Sequence, residues 1–229
     1  MEGDPAMKFI EYPDRDLMMI NLADRLSSEL KNTLLTQDRA TLCVPGGTTP
    51  GPAFDSLSAS KLDWSRVTVL LGDERWVPED HPRSNTRLVR KRLLVNQAAS
   101  ARLQSLYMDA PTPEDALEEL GQQVEAVLPI TVLLLGMGGD MHTASLFPGA
   151  DRLEEALSDD APPVMALRAE AAGEPRMTLT APVLQGALST HILITGPEKR
   201  AALEKARSLS PREAPVKAVL GDATVHWAE

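Results

Sequence analysis

The chain has 229 residues, the span of one large α/β domain, and its 43% apolar and 24% charged composition excludes a disordered or low-complexity polypeptide. With 33 acidic against 23 basic residues the net charge is −10, which argues against nucleic acid and anionic membranes, since both are bound by clustered Lys and Arg. A small anionic ligand stays open, because a few local cations override the net field.

The one cysteine, Cys43, permits no internal disulfide and no cysteine-based zinc cage, so a reducing cytoplasm is the expected compartment. The N-terminus MEGDPAMKFIEYPD carries acids and lacks the basic and apolar segments of a signal peptide. The longest apolar stretch, around Val132 to Leu135, is far short of the ~20 residues a membrane helix needs. The expectation is a soluble protein with one domain over residues 1–229, a monomer or weak homo-oligomer.

Residues 8–12 read as a strand. The spacing predicts a helix over 14–33, where Leu17, Ile20, Leu22, Ala23, Leu26 and Leu30 recur at roughly helical intervals. Strand 40–44 runs into Gly46-Gly47-Thr48-Thr49-Pro50, ahead of a helix at 50–57. Two glycines let backbone approach a ligand, and a helix N-terminus offers free N–H groups and partial positive charge. Thr48 or Thr49 can cap that helix or bind the ligand, and Pro50 suits its first turn. A plain capped turn is the bland alternative, and the Walker A spacing is absent.

Strand 67–71 ends in Gly72-Asp73-Glu74-Arg75, two acids and an arginine. Arg75 can hold an oxyanion or phosphate at two points, although a simple ion pair is equally compatible. Ser84-Asn85-Thr86 resembles an N-cap to a helix over 85–94. A strand at 102–107 and a helix at 113–127 follow. Strand 130–135 then leads into Gly136-Met137-Gly138-Gly139-Asp140-Met141-His142-Thr143. That run begins like a dinucleotide fingerprint, but Met141 stands where the fingerprint needs Gly or Ala, and no ribose-binding acid follows. Nucleotide redox is therefore rejected, and no cofactor is expected. A turn delivering Asp140 and His142 to the mouth of a sheet suits acid–base work.

Further strands are expected at 164–166, 176–179, 191–195 and 216–220, with helices at 181–186 and 197–205. Arg176 opens its strand as surface charge or anion clamp. Lys199, early in its helix, opposes the helix dipole unless an anion lies nearby. His81, His191 and His226 show no partner pattern and are read as structural. The alternation of strands and helices predicts an α/β fold: a three-layer, Rossmann-like, mostly parallel sheet with helices on both faces. Its three Gly-containing turns should converge outside the carboxyl ends of the strands, where ligands bind in such sheets.

Taken together, GGTTP, GDERWVP followed by SN, GMGGDMHTASLFPG, RMTLT and GPEK resemble the 6-phosphogluconolactonase family, in that family's order and over Gly46 to Lys199. The block LGMGxDGHTASLFPG is matched at all but one fixed position. The resemblance implies the sheet architecture of sugar-phosphate isomerases and deaminases, and a metal-independent hydrolysis of 6-phospho-D-glucono-1,5-lactone. It makes His142 the general base, places Arg75 beside the reacting carboxyl group, and assigns Gly46, Gly47 and Thr48 to the phosphate loop. Arg176 and Lys199 match cations near the same phosphate, Asp140 orients the loop or His142, and Asp73 supports the floor. Two positions depart from the pattern. Met141 replaces a glycine, which costs about 1–2 kcal/mol if φ is positive there, and Pro45 replaces a small hydroxylated residue.

Two rival functions are weighed against this. Glucosamine-6-phosphate deaminase/isomerase has a related block whose acid would fall at Phe147, and a DEY turn where this chain has DER. A non-catalytic sugar-phosphate sensor would carry a helix-turn-helix and a basic face, and neither is found.

Overall fold

The computed structural model describes residues 7–229; residues 1–6, on which the signal-peptide reading partly rests, lie outside them. In chain order the strands are β1 (Lys8–Glu11), β2 (Ala40–Val44), β3 (Val67–Leu71), β4 (Asp73–Arg75), β5 (Arg102–Gln104), β6 (Val132–Gly136), β7 (Val164–Leu167), β8 (Arg176–Leu179), β9 (Ser189–Thr195) and β10 (Thr224–Ala228). The helices are α1 (Arg15–Leu34), α2 (Gly51–Ser58), α3 (Asn85–Arg92), α4 (Leu117–Glu125), α5 (Leu153–Ala156), α6 (Ala181–Gln185) and α7 (Gly196–Ala206). Seven strands form one sheet in the order β1-β10-β9-β6-β2-β3-β5, with every neighbouring pair parallel.

Successive side chains of a strand point to opposite faces. β2 is buried at all five positions, and β6 is buried from Val132 to Leu135. Both faces of the sheet centre are therefore covered, which is the three-layer α/β arrangement that the alternating pattern implies. α1 shows how the covering works. Asp14 caps it by accepting a 2.7 Å hydrogen bond from Leu17 N. Its buried stripe is Met18, Met19, Leu22, Ala23, Leu26 and Leu30. The expected Leu17 and Ile20 instead face outward, because the i, i+4 series from Met18 to Leu30 sets the buried face.

Other elements differ from the sequence reading. Residues 216–220 form no strand: Pro215–Val219 is a 3₁₀ turn that buries Val216 and Val219, and the strand lies later, at β10. A short apolar run carries no periodicity that separates these two outcomes. The strand expected at 102–107 stops at Gln104, and α4 is preceded by a 3₁₀ turn over Pro113–Ala116. A second, antiparallel sheet, β4-β8-β7, was not anticipated as a unit. Gly72 joins the two sheets, donating its N–H to Val44 O at 3.0 Å and accepting from Leu179 N at 3.0 Å.

The topology fixes where a ligand can enter. From β2 the chain builds outward through β3 and β5, then returns to place β6 on the other side of β2. The loops after β2 and β6 therefore diverge, leaving a crevice at the carboxyl ends.

Candidate active site

A cleft of about 260 Å³ lies at that switch point, between the loops that follow β2, β3, β6 and β9. Gly46, Gly47, Asp73, Arg75, His142, Arg176 and Lys199, seven of the residues singled out from the sequence, line it. Thr48 does not: it is exposed, its carbonyl accepts from Gly51 N at 3.2 Å, and Thr49 takes the place at the wall. Neither threonine caps α2, which has Pro50 at the N-cap position and no side-chain cap.

His142 is held from two sides. Its Nδ1 lies 2.5 Å from Asp140 Oδ1, and its backbone N–H donates to the same oxygen at 3.1 Å. An ionised carboxylate only accepts, so Nδ1 carries the proton and Nε2 is the basic nitrogen of the neutral ring. Among the described residues Nε2 has no protein partner. The ring packs on Phe147 with centroids 4.3 Å apart. The hydrogen bond from His142 holds the Asp140 carboxyl below its usual range, against the opposing effect of burial. Asp140 stands behind His142 rather than in the cleft wall.

The backbone around this pair is tightly constrained. A Cβ at Gly138 would overlap both the His142 ring and the Asp140 carboxylate. Gly138 N donates to His142 O at 2.9 Å, and Met141 N to Gly138 O at 3.0 Å, closing a tight turn. Met141 has φ 67°, the left-handed conformation that glycine would adopt without strain. Its carbonyl accepts from Val216 N at 3.0 Å, which ties the turn to the Pro215–Val219 segment.

The cations come from three directions. Arg75 on β4 is the register partner of Arg176 on β8. Arg75 Nη1 donates to Asn85 Oδ1 at 2.9 Å and to Arg83 O at 2.8 Å. Arg176 is buried, with Nη2 donating to Ala172 O at 3.0 Å and Nη1 lying 3.7 Å from Asp73 Oδ2. Burial pushes the Arg176 pKa down, Asp73 pulls it up, and Arg75 adds to the downward push. Among the described residues, the Nε atoms of both arginines are buried without a hydrogen-bond partner. Two like charges on facing strands, each with an unpaired N–H, suit an anion placed between them. Lys199 reaches from the first turn of α7 to donate to Met137 O at 2.7 Å; burial lowers its pKa and the Asp140 charge opposes that.

Sequence reasoning missed two supports. Ser145 donates to Asp73 Oδ2 at 2.6 Å and accepts from Arg176 Nη1 at 3.4 Å, so it pins the floor. Asn85 lies within the cap signal that placed α3, but a cap signal says nothing about the side chain of the residue after it. The histidines read as structural lie elsewhere. His81 Nδ1 accepts from Arg83 N at 3.1 Å. His191 and His226 form a buried chain: Tyr12 Oη to His226 Nδ1 is 2.9 Å, His226 Nε2 to His191 Nδ1 is 3.0 Å, and His191 Nε2 to Glu29 Oε2 is 2.9 Å. No group of three or more His, Cys, Asp or Glu among the described residues is placed to hold a metal ion. No helix among them is long and apolar enough to cross a membrane.

The parallel sheet and its switch-point cleft define a Rossmann-like α/β protein. The chain belongs to the family described as glucosamine-6-phosphate isomerases/6-phosphogluconolactonase, whose model matches residues 13–227. It is similar to the 6-phosphogluconolactonase of Rhizobium meliloti, with 44% identity over 214 residues, 90% of this chain and 92% of that one. The Pseudomonas aeruginosa 6-phosphogluconolactonase is 41% identical over 210 residues, 90% of this chain and 88% of that one. The crystal structure of a 6-phosphogluconolactonase from Shewanella baltica OS155 superposes with a TM-score of 0.95 at 31% identity, over 99% of both chains. A monomeric glucosamine-6-phosphate deaminase, 18% identical, matches with a TM-score of 0.80 over 97% of this chain and 98% of that one, a likeness of fold alone.

Proposed function

We propose that this protein hydrolyses 6-phospho-D-glucono-1,5-lactone to 6-phospho-D-gluconate, a step of the oxidative pentose phosphate pathway, with His142 as general base. The observation that carries the reading is the Asp140–His142 pair at 2.5 Å, with Nε2 unengaged in a cleft that also holds Arg75, Arg176 and Lys199. Relatives named 6-phosphogluconolactonase at 44% and 41% identity support it.

In this mechanism Nε2 takes a proton from water as the water oxygen bonds to the lactone carbonyl carbon. The carbonyl oxygen becomes an oxyanion, stabilised by Arg75. Collapse of that intermediate breaks the bond to the ring oxygen, which receives the proton back from His142. Asp140 steadies the imidazolium between the two transfers. General-base help of this kind contributes ~10²–10⁴ in rate, enough for an ester that already hydrolyses slowly. Arg176, Lys199 and the Gly46–Gly47 turn take the phosphate. The chain acts as one unit over residues 1–229, in the cytoplasm.

The deaminase reading is disfavoured by Phe147, which stands where that activity places an acid and packs, tilted, against the His142 ring. The test is to generate the lactone with glucose-6-phosphate dehydrogenase and follow acid release with and without the protein. Acceleration well above the spontaneous rate is expected; identical rates in both samples would sink the reading.

A further inference from the structure

Glu74 is fully buried beside Arg75, yet its carboxylate meets that residue only at the backbone N–H, which donates to Oε1 at 2.8 Å. Its other partners all belong to the start of α3. Asn85 N donates to Oε1 at 2.8 Å, Thr86 N to Oε2 at 2.8 Å, Thr86 Oγ1 to Oε2 at 2.9 Å and Ser84 Oγ to Oε2 at 3.3 Å. The first N–H groups of a helix have no partner within it, and a negative charge is favoured at that end. Glu74 satisfies the first two, and Ser84 Oγ accepts from Arg87 N at 3.2 Å, so the helix start is anchored at every donor up to its third residue. Burial pushes the Glu74 carboxyl above its ordinary range, and the hydrogen bonds from Asn85, Thr86 and Arg75 oppose that.

What this anchor holds is the side chain of Asn85. Its Nδ2 donates to Asp73 O at 3.0 Å, and its Oδ1 accepts from Arg75 Nη1 at 2.9 Å. Gly46 abuts the same amide so closely that any Cβ there would overlap it. Asn85 thus touches the loop after β2, the turn after β3 and the guanidinium at once. Nη1 carries two N–H groups, and both are taken, one by Asn85 Oδ1 and one by Arg83 O. The donors left over are Nη2 and the buried, unpartnered Nε, which form the other edge of the planar fork.

We infer that Asn85 and Glu74 are positioning residues that fix which edge of the Arg75 guanidinium faces the cleft. Asn85 occupies Nη1, Glu74 holds Asn85 in place through the helix start, and the Nε–Nη2 edge is thereby presented to an oxygen of the bound lactone. The inference rests on the proposed function for its kinetic reading. A misplacement near 1 Å in such a site costs about 10²-fold in rate.

The test combines kinetics on the phosphorylated lactone with the ¹⁵N–¹H signal of the Arg75 Nε–H group, identified by its loss in Arg75→Lys. Asn85→Ala should lower kcat by ~10²-fold with KM changed far less, and should cost almost nothing further in an Arg75→Ala background. Glu74→Gln, which turns an amide N–H₂ toward backbone donors while keeping the shape, should lower kcat in the same way. Asn85→Ala is the safeguard should Glu74→Gln fold poorly. Both variants should shift or broaden the Nε–H signal. Kinetic losses that add independently of Arg75, with an Nε–H signal unmoved in Asn85→Ala, would overturn the inference. An inactive wild type whose Nε–H signal still moves in Asn85→Ala would refute the lactonase reading and leave the positioning of Arg75 standing.

Discussion

His142 and the His191–His226 pair use the same ring in opposite ways. His191 and His226 are almost fully buried, and all four of their nitrogens meet partners, with Ser189 Oγ adding a 3.2 Å contact to His191 Nε2. His142 is 30% exposed at its side chain, and among the described residues only its Nδ1 is engaged. A histidine with every nitrogen satisfied stabilises packing; one held rigidly by a single nitrogen keeps the other for chemistry. The cluster also shows what closure costs. Burial and then the neighbouring His191 lower the His226 pKa to about 3, so this ring stays neutral where an exposed one would charge.

The sharpest way to break the comparison is to exchange function at the open ring. His142→Asn should lower kcat by ~10²-fold or more with KM little changed, read by steady-state kinetics. Normal turnover would move the base to another group. Next comes the charge around that ring. Removing the phosphate from the lactone should cost at least ~10²-fold in kcat/KM, since charge-assisted hydrogen bonds contribute about 1.5–3 kcal/mol each. Arg176→Ala or Lys199→Ala should narrow the gap between the two lactones; equal kcat/KM for both in the wild type would point to a broader lactonase. Gly138→Ala should cost about 10²-fold in kcat, because its methyl group displaces the Asp140–His142 pair by about 1 Å or more. An unaffected kcat would show that the pair tolerates that displacement.

At the closed cluster the expected effect is on stability. The folded pKa of His226 is depressed from 6.5 to about 3, so the unfolded chain binds more protons between those values. Stability is therefore intact above pH 6.5 and lost as pH falls toward 3, at no more than ~1.4 kcal/mol per pH unit for one proton. Urea unfolding between pH 6.5 and 4.5 should show that slope in the wild type and a flatter one in His226→Gln. Parallel slopes would assign the acid sensitivity elsewhere. The smallest effect is expected at Met141→Gly: relief of the positive φ is offset by glycine's greater freedom when unfolded, leaving a change below ~1 kcal/mol in the same assay.

Much of this was legible from residues alone. Strands β2 and β3 were placed with their observed bounds, because buried parallel strands are near-continuous apolar runs closed by glycine or proline turns; the antiparallel β8 also has the bounds read from its sequence. The seven lining residues named from sequence came from motifs at strand ends, where the topology gathers side chains. Thr48 and Thr49 were indistinguishable there, since a loop of unknown φ and ψ does not say which side chain turns inward. Asn85 and Ser145 were invisible for another reason: each acts through contacts with residues at least 10 positions away in sequence, and no local pattern encodes them. Likewise β10 reads TVHWA, and only its insertion between β1 and β9 explains a histidine in a strand buried from Val225 to Ala228.

That insertion bears on the order in which the molecule assembles. Among the described residues β1 has a single sheet neighbour, β10, and the Tyr12–His226 contact closes a loop of 214 residues. Doubling a loop adds only ~0.6 kcal/mol of closure entropy, so the penalty falls on the search time and hardly on the final balance. The β2–β3 pair, whose strands follow one another in the chain, has a far shorter search. One margin of the sheet is thus expected to close late, over a centre already formed, and until then β9 presents an unpaired flank to any other chain nearby.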